Sequence, residues 1–169
     1  IVNAVSKTYS MTGWRIGYAA GPKKLISTMD AIQSQSTSNA SSISQWAALE
    51  ALQGDQSSVA KMRDEFEKRR NFSFQRLTEI PGLVCQKPGG AFYLFPNISA
   101  FIGRQTQDQK ELKSDVDVAA YLLETHGVAL VPGTAFGAPG YLRLSYSSPQ
   151  AALEEGIERI RRGFMELHD

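Results

Sequence analysis

Lys7 lies just after the mostly apolar run Ile1–Val5, with Ser6 between, and Arg15 stands eight residues later, beyond Met11-Thr12-Gly13-Trp14. A lysine amine attacks a carbonyl only when burial and cationic neighbours keep it unprotonated well below its ordinary pKa of ~10.4, and the mouth of an apolar strand suits that. Spacing alone leaves a solvated lysine and a surface arginine as the ordinary reading, because such side chains are mostly exposed. Arg143 carries more weight. It lies in the apolar and aromatic run YLRLSYS, where a buried cation is costly unless an anion pairs with it, so anion binding is favoured over an edge-strand arginine. On their residue types alone, Phe136 in PGTAFG reads as plain core and Ser38-Asn39 as an Asx-type turn before a helix. Tyr9 and Trp14 read as packing groups around the lysine loop. His126 and His168 have no neighbours in sequence that suggest catalysis and read as surface histidines at helix ends.

Several function classes fall away on composition. Eighteen Lys and Arg against seventeen Asp and Glu give a formal charge of +1, so net charge provides no pull toward nucleic acid or anionic lipid. The single cysteine, Cys85, excludes an internal disulfide, and no Cys/His cluster has metal-ligand spacing, which points to a reducing cytoplasm and no metal. No run approaches the ~18 apolar residues of a membrane helix, and the first ten residues lack the features of a secretory signal. At 169 residues with 42% hydrophobic, the chain is long enough for a core of its own. It opens on Ile1, inside an apolar run, and is therefore expected to be part of a longer protein.

The elements that must position these residues alternate along the chain. Residues 1–5 and 14–20 read as strands around a polar loop, the second ended by Gly21-Pro22. Residues 23–33 and 44–52 have helical composition and are separated by the polar stretch QSTSNASS. Residues 57–78 read as one long helix with Val59, Met62, Phe66 and Leu77 on a face. Residues 83–87 and 91–95, joined by Pro88-Gly89-Gly90, read as a hairpin, followed by a polar connection over 102–114. Ser114 is positioned to cap a helix ending at His126 before Gly127. Strands are expected over 128–131 and 141–146. A final helix starts at Pro149, with Leu153, Ile157, Ile160, Phe164 and Leu167 on one face. The fold class is α/β, its second half an α+β unit.

The run SKTYSMTGWRIGY resembles the lysine signature of the class I and II aminotransferases, the aspartate aminotransferase-like branch of the fold type I pyridoxal-phosphate enzymes. STSNASSISQWAALEAL, KPGGAFYLFP, VALVPGTAFG and YLRLSYS are similar to further segments of that family in their usual order. The resemblance covers the whole chain and implies the C-terminal portion of the subunit: residues 1–56 as the end of the large cofactor domain, 57–169 as the small domain with the interdomain helix. It implies pyridoxal 5'-phosphate as cofactor, an amino acid (aspartate foremost) and a 2-oxo acid (2-oxoglutarate foremost) as substrates, and a cytoplasmic homodimer. Lys7 is implied to hold the cofactor aldehyde and to carry a proton between substrate Cα and cofactor. Arg15 is implied to bind the cofactor phosphate and Arg143 the substrate carboxylate. Phe136 is implied to line the substrate pocket and Asn39 to approach the neighbouring subunit's site. One departure is Ala4, where many relatives have a phosphate-binding serine. Two rival readings use the same residues: a ligand-sensing domain of a transcription regulator, and a carbon-sulfur lyase.

Overall fold

A computed structural model describes all 169 residues, which divide into two compact units, Ile1–Arg63 and Asp64–Asp169, with the division inside a long helix. In the first unit, β1 (Val2–Ala4) and β2 (Gly17–Ala19) form an antiparallel ribbon with Val2 opposite Ala19 and Ala4 opposite Gly17. Glycine is required at 17, since a Cβ there would lie 2.9 Å from the Asn3 carbonyl oxygen. The second strand is shorter than the sequence suggests. Thr12–Trp14 coil into a 3₁₀ turn and Arg15 adopts the left-handed conformation at φ 51°, so extended backbone begins only at Gly17.

Helices α1 (Lys23–Ser36) and α2 (Ser42–Gln53) follow, each a turn or less longer than the sequence predicts. α3 spans Ser57–Thr78, as read. Its start is fixed by Asp55, whose carboxylate accepts from the Ser57 amide (3.0 Å) and hydroxyl. Those two bonds, the hydroxyl's first, hold the Asp55 carboxyl below its usual range.

The second unit is built on a three-stranded antiparallel sheet in the order β3 (Tyr93–Leu94), β5 (Leu142–Ser145), β4 (Val131–Pro132). On β5 the side chains alternate: Leu142 and Leu144 are buried, while Arg143 and Ser145 face the other way. Helices α4 (Asp115–His126) and α5 (Gln150–Met165) contact each other, and every residue of the expected α5 face is buried: Leu153, Ile157, Ile160, Phe164 and, just past its end, Leu167. α4 has the expected caps, with Ser114 Oγ accepting from the Asp117 amide (3.2 Å) and Gly127 left-handed at φ 66°.

Three expectations are corrected in this unit. The arms 83–87 and 91–95 do not form a hairpin. Val84 bridges instead to Asn97, beyond the second arm, and Tyr93–Leu94 pair with β5. Ala91, the first residue of the second arm, turns at φ 61°, which takes the backbone out of the extended conformation a ladder needs. Residues 128–130 are not a strand, because β4 pairs with β5 only at Val131–Arg143 and Pro132–Leu142. Finally, His126 is not a surface residue. Its side chain is 7% exposed, with Nε2 3.0 Å from the Tyr121 hydroxyl and 3.5 Å from Glu166 Oε2. Tyr121 donates its one proton to the Gly163 carbonyl (3.1 Å), so His126 Nε2 is the donor toward Tyr121. Burial, and then Glu166, push the Tyr121 hydroxyl above its ordinary pKa.

Candidate functional site

In the first unit the connection from β1 to β2 brings Lys7 and Arg15 to the same end of the ribbon, Lys7 three residues after β1 and Arg15 two before β2. The backbone winds tightly after Val5, which is 1% exposed. Tyr9 N donates to Val5 O (3.2 Å), Met11 N to Ser6 O (3.0 Å) and Ser10 N to Lys7 O (3.3 Å), with Ser10 left-handed at φ 55°. Side chains then tie the loop to the start of α3. Tyr9 donates to Gln56 Oε1 (3.1 Å) and Ser10 to Met62 Sδ (3.3 Å). Tyr9 thus anchors the loop, as expected of a packing group, whereas Trp14 is 46% exposed.

Lys7 is exposed in this unit, as is Arg15, whose Nη1 donates to the Thr12 carbonyl at 3.0 Å. The burial that keeps a lysine amine neutral is therefore not supplied by the residues of this unit. Ser38 and Asn39 occupy the link from α1 to α2, with Ser38 left-handed at φ 64° and Asn39 N donating to Thr37 O (2.9 Å). The Asn39 side chain is exposed.

In the second unit, Arg143 is half-buried on the central strand. Its guanidinium carbon lies 4.5 Å from the ring centroid of Tyr93 and 4.5 Å from that of Phe136. Tyr93 is the diagonal neighbour of Arg143 across the β3–β5 pair, because Tyr93 stands opposite Ser145. Phe136 comes from the 3₁₀ turn Gly133–Phe136 that follows β4. At 50% exposure Phe136 is no core residue. Its ring packs edge-on against Phe95 (6.2 Å), which stacks on Tyr141 (5.0 Å). No carboxylate within the unit pairs with Arg143. The two rings hold the planar fork by cation–π contact, worth about 0.5–2 kcal/mol each, and leave its edge donors for an oxygen anion. Tyr93 is the site residue that the sequence reading missed. Its role depends on pairing with β5, which the expected hairpin would have denied it. Cys85 is a free, half-buried thiol that burial pushes above its ordinary pKa, which disfavours the reactive thiolate.

The family model for class I and II aminotransferases matches residues 1–160. The chain is 52% identical to the aspartate aminotransferase of Geobacillus stearothermophilus, over 98% of this chain and 41% of that protein. It is 48% identical to a probable aspartate/prephenate aminotransferase of Rhizobium leguminosarum bv. phaseoli, over 95% of this chain and 40% of that protein. The crystal structure of the aspartate aminotransferase of Rhizobium meliloti superposes with a TM-score of 0.95 at 47% identity, covering 99% of this chain and 42% of that one. The chain thus spans about two fifths of the length of these relatives.

Proposed function

Because the chain belongs to the class I and II aminotransferase family and corresponds to the C-terminal portion of its fold type I subunit, we propose that the whole protein is a pyridoxal-phosphate-dependent aminotransferase. The amino donor is L-aspartate and the acceptor 2-oxoglutarate. The observation that carries this reading is the guanidinium of Arg143, clamped between Tyr93 and Phe136 with no carboxylate of its unit to neutralise it. Such a fork binds a carboxylate through two parallel charge-assisted hydrogen bonds.

The donor set at the end of the β1–β2 ribbon fits the cofactor. Lys7 offers the amine that an aldehyde requires and Arg15 the fork that a phosphate requires, on one loop tied to α3. When bound, pyridoxal phosphate supplies the electron sink that lets the substrate Cα lose its proton. Lys7 Nζ takes that proton and returns it elsewhere, a task that needs an amine kept neutral by enclosure. Arg15 holds the phosphate, and with Ala4 in place of a serine hydroxyl it carries more of that contact. Arg143 holds the α-carboxylate through the two donors of its fork. Asn39, on its exposed link, serves the site of a second subunit in a homodimer.

Residues 1–56 are read as the end of the large domain and 57–169 as the small domain, in a cytoplasmic protein whose one cysteine is free. No helix is long and apolar enough to cross a membrane. The test is turnover by the full-length protein with L-aspartate and 2-oxoglutarate: formation of glutamate and oxaloacetate that depends on the acceptor supports the reading. Acceptor-independent release of ammonia would identify a lyase. A relative named for prephenate makes that 2-oxo acid the second acceptor to assay.

A further inference from the structure

The mechanism leaves one buried acid without a task. Asp115, the first residue of α4, is 1% exposed, and both of its carboxylate oxygens are taken by a single residue of another element. Thr134 N donates to Oδ2 at 2.7 Å and Thr134 Oγ1 donates to Oδ1 at 2.6 Å. Burying a carboxylate is costly, and these short charge-assisted bonds offset that cost only while Thr134 stays in place. Thr134 sits in the turn Gly133–Phe136, two residues before the ring that covers Arg143. The residue before Thr134 is held as well. Gly133 N donates to Tyr141 O at 2.7 Å, and a Cβ on Gly133 would lie 2.2 Å from Ala138 O, so only glycine fits this close approach of the two backbone segments.

We propose that Asp115 is a positioning residue for the carboxylate site. It grips Thr134 and thereby fixes the turn that sets Phe136 over the guanidinium of Arg143. The chain of contacts is continuous: Asp115 to Thr134, Thr134 to Phe136 through two peptide units, Phe136 to Arg143. The half-exposed Phe136 ring has only Phe95 and Arg143 as ring or cation neighbours, so its place depends on the backbone that carries it. Loosening that backbone opens one side of the clamp and gives the fork rotamers that cannot present two donors to one carboxylate. The inference rests on the reading of Arg143 as the substrate carboxylate site.

The experiment uses the full-length protein loaded with cofactor, five single variants and one double variant. Thr134→Val removes the hydroxyl bond and keeps the amide bond, Thr134→Ser restores the hydroxyl, Phe136→Ala removes the ring, and Arg143→Lys tests the site itself. Two quantities are read: the KM for L-aspartate, and the dissociation constant of maleate, a dicarboxylate with no amino group to transfer. Thr134→Val is expected to raise both about three- to tenfold with kcat within about twofold, and Thr134→Ser to return both to the parent values. In the Phe136→Ala background, Thr134→Val should add little, because the ring it positions is gone. The inference is overturned if Thr134→Val leaves both constants unchanged while Arg143→Lys raises them, or if its effect persists undiminished without Phe136. If Arg143→Lys itself changes neither constant, the carboxylate reading falls, and this inference with it. Asp115→Ala leaves the Thr134 amide without its partner and is expected to exceed Thr134→Val in effect. Should it fail to fold, the threonine variants decide.

Discussion

At the scale of single residues the proposed chemistry divides between an amine and two guanidinium forks, and each fails differently when changed. Lys7→Ala in the full-length protein removes both the attachment point for an aldehyde and the proton carrier, so turnover is expected to vanish while the chain still folds, because Lys7 is exposed on its loop. Borohydride reduction in the presence of pyridoxal phosphate, followed by peptide mapping, checks the assignment: the label belongs on Lys7, and a label on another lysine would refute it. Arg143→Lys is more discriminating. An ammonium cannot make two parallel bonds to a carboxylate, nor lie flat between Tyr93 and Phe136 at 4.5 Å from each. Losing one charge-assisted bond of ~1.5–3 kcal/mol predicts a ten- to hundredfold fall in kcat/KM, with cofactor absorbance unchanged. Unaltered kinetics with every amino acid tried would remove Arg143 from the site.

At the scale of elements, periodicity and capping chemistry predicted helices well. The α5 face, the Ser114 cap and the Gly127 stop were legible because each depends on residues within one or two turns of one another. Strand pairing was less legible, because Tyr93 and Ser145 are 52 positions apart in sequence and nothing local marks Tyr93 for β5 rather than for the arm before it. Pairing between separate elements likewise hid Tyr93 as a wall of the clamp, Asp115 as the grip on Thr134, and the contact of His126 with Glu166, although Lys7, Arg15 and Arg143 stood out by motif. The α3 start yields a prediction about pH. Its Asp55 carboxyl has a lowered pKa through bonds from Ser57. A group depressed on folding contributes stability that is fully present above its unfolded value, ~3.9, and is lost as pH falls through the folded value. Exchange at the Ser57 amide and the next turn of α3 should therefore quicken as pH is lowered below about 4, beyond the intrinsic trend. In Asp55→Asn that extra dependence should vanish. A variant that retains it would show that another carboxylate governs the helix start.

At the scale of the whole chain, the distribution of burial differs between the two units. In Ile1–Arg63 the buried apolar residues are Val5 and Ala48, whereas Ile1, Val2, Ile32, Ile43 and Trp46 are each 64% exposed or more. α2 in particular carries Ile43 and Trp46 largely exposed and Leu49 41% exposed, at helix spacing. In Asp64–Asp169 the core is continuous from Leu77 to Leu167 and includes α4, α5 and all of the central strand's inward side chains. Burial of that kind contributes roughly 25 cal/mol per Å² of apolar surface, so the second unit holds nearly all of the hydrophobic stabilisation that this chain has. The isolated 169-residue chain should accordingly behave as a stable second unit joined to a first unit that opens readily. Native-state hydrogen exchange is expected to show strong protection in α4, α5 and β5 and weak protection in α1 and α2. Self-association that rises with concentration should follow from the apolar face of α2, and Trp46→Glu should suppress it without changing protection in α5. The same chain is expected to show no turnover of L-aspartate with 2-oxoglutarate, because Lys7 stands exposed in it and water competes for every contact that the amine and Arg15 could make. Equal protection in both units, or turnover matching the full-length protein, would show instead that these 169 residues form a self-sufficient site.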